Sequence, residues 1–328
     1  MHQPVIWVLV DDKAGHAAQA CGLTEALGYP YTSKFLHYTK AAALPNVLLG
    51  ASLRGITRDC QRTMQPPWPD LLIAAGRRTI PIARYIKKQH PSCQWVQLMW
   101  PGKALECDLI IVPEHDQIRP QPNMFVTTGA LHGINSATLE GAKTQWESQL
   151  GTLPAPRVGV LLGGHSKSGR MQPEDATLLV DKAKIVAGHE GSVMITTSRR
   201  TPPACMDAIR PMLRPQDMLY DWRSRKANPY RGMLAWADAL CVSGDSISML
   251  SEAASTAKPV YVHAPAHLAG EKQRNLAARL VQMDYAHYVT DVVADGWMPA
   301  GYLQETERAA DFIRQHLHPQ SNDAKRKT

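Results

Sequence analysis

Short apolar runs, each closed by a polar turn, recur along the whole chain and alternate with longer helical patterns. Val5–Val10, Leu71–Ala75, Trp95–Met99 and Leu109–Val112 are the runs of the first half. Arg157–Leu162, Val193–Thr196, Met218–Tyr220, Ala239–Val242 and Pro259–His263 are those of the second. Runs with so little polar alternation suit strands covered on both faces. Helical patterns fill the intervals: from the turn Asp11–His16 to about Leu27, from Thr79 through Lys88, over Ala142–Leu150, over Pro173–Gly188, after Ser246, and over the amphipathic stretch Leu303–Leu317. Strands alternating with helices predict parallel sheets. Gly151–Pro156 reads as a linker, after which the same grammar restarts. The expected fold class is therefore α/β, with two Rossmann-like doubly wound domains facing a cleft. The expected boundaries are 1–150 for the first domain, 151–302 for the second, 303–318 for a final helix and 319–328 for a polar, basic, disordered tail. A chain of 328 residues suits two domains of ordinary size.

In doubly wound sheets, ligands collect at the carboxyl ends of the strands. The most informative stretch runs from Asp238 to His263 and reads as strand, turn, helix and strand. Its turn, Ser243-Gly244-Asp245-Ser246, opens a helix. Free N–H groups and the positive end of the helix dipole there suit a phosphate. Asp245 or Ser246 can cap that helix, and Glu252 on it can accept hydrogen bonds from a ribose. Four other strand ends carry similar chemistry: Asp12–His16 with Gln19 one turn on, Gly76-Arg77-Arg78, Gly163–Gly169, and Ser198-Arg199-Arg200. One such turn is ordinary geometry; five at the ligand-binding ends point to a site. His16, just inside a helix start, suits a neutral general base, with Asp11 and Asp12 as rivals for that role.

Composition narrows the function classes. The hydrophobic share is 44%, ordinary for a globular chain. Net charge is +7 with a pI near 9.1. The cations are scattered, with no run that would track nucleic acid, so no nucleic-acid partner is expected. The mild positive field favours acidic small molecules or an anionic membrane face. The six cysteines include no Cys-x-x-Cys pair and read as free thiols in a reducing compartment. Val5–Val10 runs straight into Asp11-Asp12-Lys13, unlike a leader, and no apolar segment approaches a membrane span. The expected location is cytoplasmic, including peripheral contact at the inner membrane face. Histidines 132, 165, 263 and 267 form no compact ligand pattern, so no metal is expected. P-loop, Gly-x-Gly-x-x-Gly and Gly-x-Ser-x-Gly signatures are absent, which argues against a P-loop NTPase, a conventional dehydrogenase and an α/β-hydrolase.

Gly15-His16-Ala17-Ala18-Gln19, Asp70–Arg77, Gly163-Gly164, Thr197–Pro202 and Asp245–Ala253 together resemble the mitochondrial-fission (elongated-mitochondria) family and its bacterial relatives, over almost the whole chain. The resemblance implies the GT-B architecture of nucleotide-sugar glycosyltransferases. It is similar in kind to the peptidoglycan N-acetylglucosaminyltransferase that makes lipid II. Gly15-His16 matches that enzyme's first turn, Gly163-Gly164 its second-domain turn, and Ser243-Gly244 with Glu252 its ribose-holding segment. It implies sugar transfer from a nucleotide diphosphate sugar to a lipid-linked or cell-envelope glycan acceptor, with the nucleotide sugar as substrate and no cofactor. The second domain would hold the nucleotide through Gly163, Gly164, Ser166, Ser198, Arg199, Asp245, Ser246 and Glu252. The first would hold acceptor through Lys13, Gly15, Gln19 and Arg77, with His16 as base. Because plant members are associated with recruiting fission machinery, the resemblance also implies a non-catalytic adaptor as the alternative. A nucleotide-sugar epimerase is a third reading.

Overall fold

The computed structural model describes residues 3–102, 106–292 and 296–317; the tail expected at 319–328 lies outside them. The chain divides into two units. One runs to Gly133 and resumes at Gln304; the other is Ile134–Leu303.

The first unit is built on a six-stranded parallel sheet in the order β2-β1-β3-β4-β5-β6. Its strands are β1 (Ile6–Val10), β2 (Thr32–Phe35), β3 (Leu71–Ala75), β4 (Gln94–Leu98), β5 (Leu109–Pro113) and β6 (Met124–Thr127). Its helices are α1 (Ala14–Leu27), α2 (Asn46–Leu49), α3 (Arg58–Arg62) and α4 (Ile80–Gln89). The central strands β1 and β3 are buried at every position, so alternate residues feed two separate cores. Val8, Ile73, Val96 and Ile111 face one, and Trp7, Leu72, Trp95 and Ile110 the other.

The second unit repeats the plan with the order β12-β11-β10-β7-β8-β9, again parallel throughout. Its strands are β7 (Arg157–Leu162), β8 (Ser192–Thr197), β9 (Met218–Tyr220), β10 (Ala239–Ser243), β11 (Val260–His263) and β12 (His287–Tyr288). Its helices are α5 (Ser136–Trp146), α6 (Pro173–Ala187), α7 (Pro203–Ile209), α8 (Tyr230–Trp236), α9 (Ile247–Ala254) and α10 (Glu271–Gln282). The last helix, α11 (Glu305–His316), returns to the first unit. Each unit is the doubly wound α/β sheet that the strand–helix alternation predicts.

Two of the segments read from the sequence are placed differently. The helix expected over 142–150 starts earlier, at Ser136, because Asn135 and Thr138 form a reciprocal capping box that fixes its start. Trp146 near its end packs on α8, where Gly232 leaves room for the indole. Residues 151–156, read as the linker, lie inside the second unit. Pro154 accepts a hydrogen bond from Ser192 there. The final helix is part of the first core: Ala309, Ala310 and Ile313 are buried, Phe312 packs at a tilt against Phe125 with ring centroids 4.8 Å apart, and Thr306 exchanges hydrogen bonds with the backbone of His132.

Candidate functional site

In the first unit the chemistry gathers where β1 and β3 end. Asp11, the residue after β1, is buried. Its carboxylate meets His16 Nδ1 at 2.7 Å and accepts from Arg78 at 2.6 Å and from the Lys13 backbone N–H at 3.3 Å. An ionised carboxylate only accepts, so Nδ1 carries a proton toward it, and in the neutral imidazole Nε2 is the nitrogen left to accept one. Asp11, weighed as a rival base, is therefore the group that orients His16. The turn after β3 completes the seat. Gly76 has φ of +80°, and a Cβ placed there would lie 2.6 Å from the imidazole. Only glycine both adopts that backbone and leaves room for the ring.

Arg78 also reaches Asp12, and its guanidinium lies 4.0 Å over the Tyr38 ring. That guanidinium holds the Asp12 carboxyl below the usual carboxylate range, while burial pushes the Tyr38 hydroxyl up. The Tyr38 hydroxyl and Arg78 Nε are buried with no hydrogen-bond partner among the described residues.

The other residues expected on this side are placed as follows. Lys13 is exposed at the start of α1, and Gly15 has open space around it. Gln19, one turn beyond His16, lies on the same helix face, half-buried. Arg77 is not brought to His16: it donates to the carbonyls of Ala42 and Leu44 and to Asn46 Oδ1. Its neighbour Arg78 is the arginine of this cluster. Both stand in the same turn, so sequence alone could not say which one faces in.

In the second unit the ends of β7, β8 and β10 close into one network. Gly163 donates to Ser243 Oγ at 2.7 Å, and Gly164 donates to Asp245 Oδ2 at 3.0 Å. Ser243 donates to Asp245 Oδ1 at 2.8 Å, and Arg200 pairs with Oδ2 at 2.8 Å. Ser198 donates to the Gly163 carbonyl at 2.6 Å, and Thr201 donates to the same oxygen. Asp245 is thus turned inward and fully engaged, its oxygens filling the place where a Gly163 side chain would stand. Gly163, Gly164, Ser198 and Asp245 are brought together as expected neighbours. Ser243, Arg200 and Thr201 complete the network; they lie in the turns read from the sequence but were not among the residues expected to hold the nucleotide.

Ser246 caps α9 by accepting from Met249 N–H at 3.3 Å. The first amides of that helix, at Ile247 and Ser248, have no intrahelical acceptor. Ser166 belongs to a self-contained turn with Ser168, Gly169 and Arg170. Arg199 is exposed and makes no hydrogen bond or ion pair among the described residues.

Glu252, on the body of α9, accepts a hydrogen bond from the Tyr230 hydroxyl at the start of α8. Burial raises the Glu252 carboxyl above its ordinary value, against the Tyr230 hydrogen bond that lowers it. Burial and the nearby Glu252 charge hold Tyr230 well above its own, so it remains a donor. Tyr230 was missed; the only signal was its place after Asn228-Pro229, a turn that opens α8. Beside Tyr230, past the end of β9, lies a cavity of about 620 Å3 lined by residues that include Tyr220, Asp221, Arg223 and Lys226. At the end of β11, His263 and His267 both reach the buried Asp175 of α6, at 2.7 and 2.9 Å. Among the described residues no set of three His, Cys, Asp or Glu has metal-binding geometry.

A family model described as mitochondrial fission ELM1 matches residues 14–317. The chain is 33% identical over 297 residues to the mitochondrial fission protein ELM1 of Arabidopsis thaliana, covering 82% of this chain and 69% of that protein. It is 29% identical over 350 residues to the uncharacterized protein RP120 of Rickettsia prowazekii (strain Madrid E), covering 94% and 97%. Among solved structures, the UDP-GlcNAc 2-epimerase of Neisseria meningitidis overlays 95% of this chain and 99% of its own, at 16% identity and a TM-score of 0.49.

Proposed function

The chain belongs to the mitochondrial fission ELM1 family, and from that premise we propose that it transfers a sugar from a nucleotide diphosphate sugar, on a metal-independent path. The observation that carries this reading is the Asp11–His16 pair, a buried carboxylate fixing the tautomer of an imidazole at a strand end. A scaffold has no use for an oriented base; a transferase needs one to take the proton of an acceptor hydroxyl as it attacks the sugar. The first unit is the acceptor side, with His16 as base and Lys13, Gly15 and Gln19 around it. The acceptor is a lipid-linked or cell-envelope glycan.

The second unit takes the donor. The open amides at the start of α9, with Ser246, face the diphosphate. Glu252 accepts from the ribose, and Arg199 brings charge to the leaving diphosphate. Gly163, Gly164 and Ser198 shape the floor, since their N–H and hydroxyl groups are already engaged.

A thermal-shift panel of uridine, guanosine, cytidine and thymidine diphosphates, with and without EDTA, tests the reading. A binding diphosphate stabilises the protein by roughly 2.7 kcal/mol at a hundredfold excess over Kd. No shift with any of them overturns the transferase. A shift lost in EDTA keeps nucleotide binding and overturns the metal-free path. One observation favours a second reading, a non-catalytic adaptor on the same fold: both glycine N–H groups at the β7 turn are spent on Ser243 and Asp245, and a phosphate would want them. The adaptor gives no shift.

A further inference from the structure

Val47 is the most exposed large apolar side chain among the described residues, at 89%, and Leu48 beside it is 67% exposed. Leu44 adds 46%, and Ala43 and Pro45 are also exposed. These residues form one knuckle around the single-turn helix α2. Its backbone is clamped. Arg77 donates to the carbonyls of Ala42 at 3.0 Å and Leu44 at 2.9 Å, and Asn46 returns a hydrogen bond to the Arg77 carbonyl at 3.1 Å. Ser52 donates to the Leu49 carbonyl at 2.7 Å, and the Ala42 and Leu49 side chains are buried. A clamped backbone holds its apolar side chains out in water, a standing cost for a protein that nothing covers.

The frame around the knuckle is cationic. From Thr39 to Arg58 the chain has no Asp or Glu, while Lys40, Arg54 and Arg58 are exposed, as is Arg77. Thr39 bonds the backbone of Gly55 and Arg54, which sets Lys40 and Arg54 on flanking turns. An apolar tip flanked by the exposed cations Lys40 and Arg54 is the chemistry of a segment that sits among anionic headgroups with its side chains in the acyl boundary.

We propose that the Ala43–Leu48 knuckle docks the first unit onto an anionic lipid bilayer. The clamp gives docking a direction. Arg77 belongs to the same turn as Gly76, which seats His16, and Arg78, which pairs with Asp11. The knuckle is thus tied by Arg77 to the same turn that seats the oriented base. This part of the inference rests on reading the first unit as the acceptor side: an acceptor anchored in the bilayer would present its headgroup near His16.

The full chain is sedimented, without nucleotide, with vesicles of phosphatidylglycerol mixed into phosphatidylcholine and with vesicles of phosphatidylcholine alone. The expected result is salt-sensitive binding to the anionic vesicles, at least about tenfold weaker to the neutral ones. Val47→Asp/Leu48→Asp lowers anionic binding at least about tenfold with an unchanged melting temperature. Lys40→Gln/Arg54→Gln lowers it about fivefold per lost charge and flattens the salt dependence. Absence of anionic binding, or binding indifferent to the aspartates, overturns the proposal. So does light scattering that shows a dimer which the aspartates dissociate. Since no nucleotide is present, such a failure leaves the donor reading to the thermal-shift panel.

Discussion

Replacing Gly76 by alanine tests whether His16 is held where the Asp11–His16 pair requires. Two costs are expected. The backbone there, φ 80° and ψ 169°, is one that only glycine adopts readily, which costs on the order of 1–3 kcal/mol. In addition, the new methyl would stand 2.6 Å from the imidazole. Ordinary contact needs roughly 1 Å more, so the ring must swing away. A 2.7 Å bond to Asp11 stretched by that amount is no longer a hydrogen bond. Losing a bond to a charged group costs about 1.5–3 kcal/mol. Gly50 supplies the control. Its backbone, φ 55° and ψ −138°, is similarly unsuited to a side chain, but nothing lies within 4 Å of a Cβ there.

Gly76→Ala should therefore destabilise by about 1.5–3 kcal/mol more than Gly50→Ala, a further loss in Tm of very roughly 5–10 °C. Thermal melts read this difference. Nitrogen-15 NMR of His16 should show the Nδ1–H tautomer lost in Gly76→Ala and kept in Gly50→Ala. In a His16→Ala background the excess cost of Gly76→Ala should vanish, since the ring it strikes is gone. Transfer rates should fall about 10²–10⁴-fold with either Gly76→Ala or His16→Ala. Equal melting temperatures for the two alanine variants, with the His16 tautomer unchanged, would refute the reasoning.

Glu252→Ala should weaken nucleoside diphosphate binding by roughly 1–3 kcal/mol in calorimetry. Because the native carboxyl is raised above its ordinary value, affinity should fall as pH drops through that raised value, and unchanged affinity removes Glu252 from the site. Lys258 donates to the carbonyls of Leu234 and Ala235 at the end of α8, and burial lowers it from 10.5 to about 8. The unfolded chain then binds more protons than the native one between those values, so this residue's contribution to stability rises with pH across that window, by up to roughly 3 kcal/mol. Buried cysteines such as Cys93 and Cys241, both raised to about 12, act in the opposite sense. The decisive quantity is therefore the difference in denaturation between the wild type and Lys258→Met, which should widen from pH 8 to pH 10 in favour of the wild type; a constant difference contradicts it.

Most strands legible in the sequence were those with two buried faces, although the short edge strand Met218–Tyr220 was read as well. Leu71–Ala75 and Arg157–Leu162 have the expected bounds because an unbroken apolar run has no other comfortable place. The edge strands β2, β6 and β12 were not legible. Thr32–Phe35 reads exposed, half-buried, half-buried, exposed, so hydrophobicity gives it no signal and its neighbour β1 dictates its conformation. The same division holds for the sites. Glycines, arginines and histidines at strand ends were visible because turn chemistry is local. Which partner each one takes was not: Arg78 is 67 residues from Asp11, and Tyr230 is 22 from Glu252. Asp245 shows why. Its turn reads as a nucleotide contact in the sequence, and only the fold reveals its carboxylate already taken by Gly164, Ser243 and Arg200.

The return of α11 to the first unit fixes an order of assembly. A ribosome delivers the first unit's strands early, but the core they share with Ala309, Ala310 and Ile313 cannot close until α11 has emerged. The second unit, uninterrupted from Ile134 to Leu303, has all its parts before then. The half that is made first is therefore finished last. A stop codon shortly after Leu303 would leave a complete second unit attached to a first unit with an open core, a product for proteases and chaperones. By the same logic, residues 134–303 expressed by themselves should give a folded unit, and residues 1–133 should not.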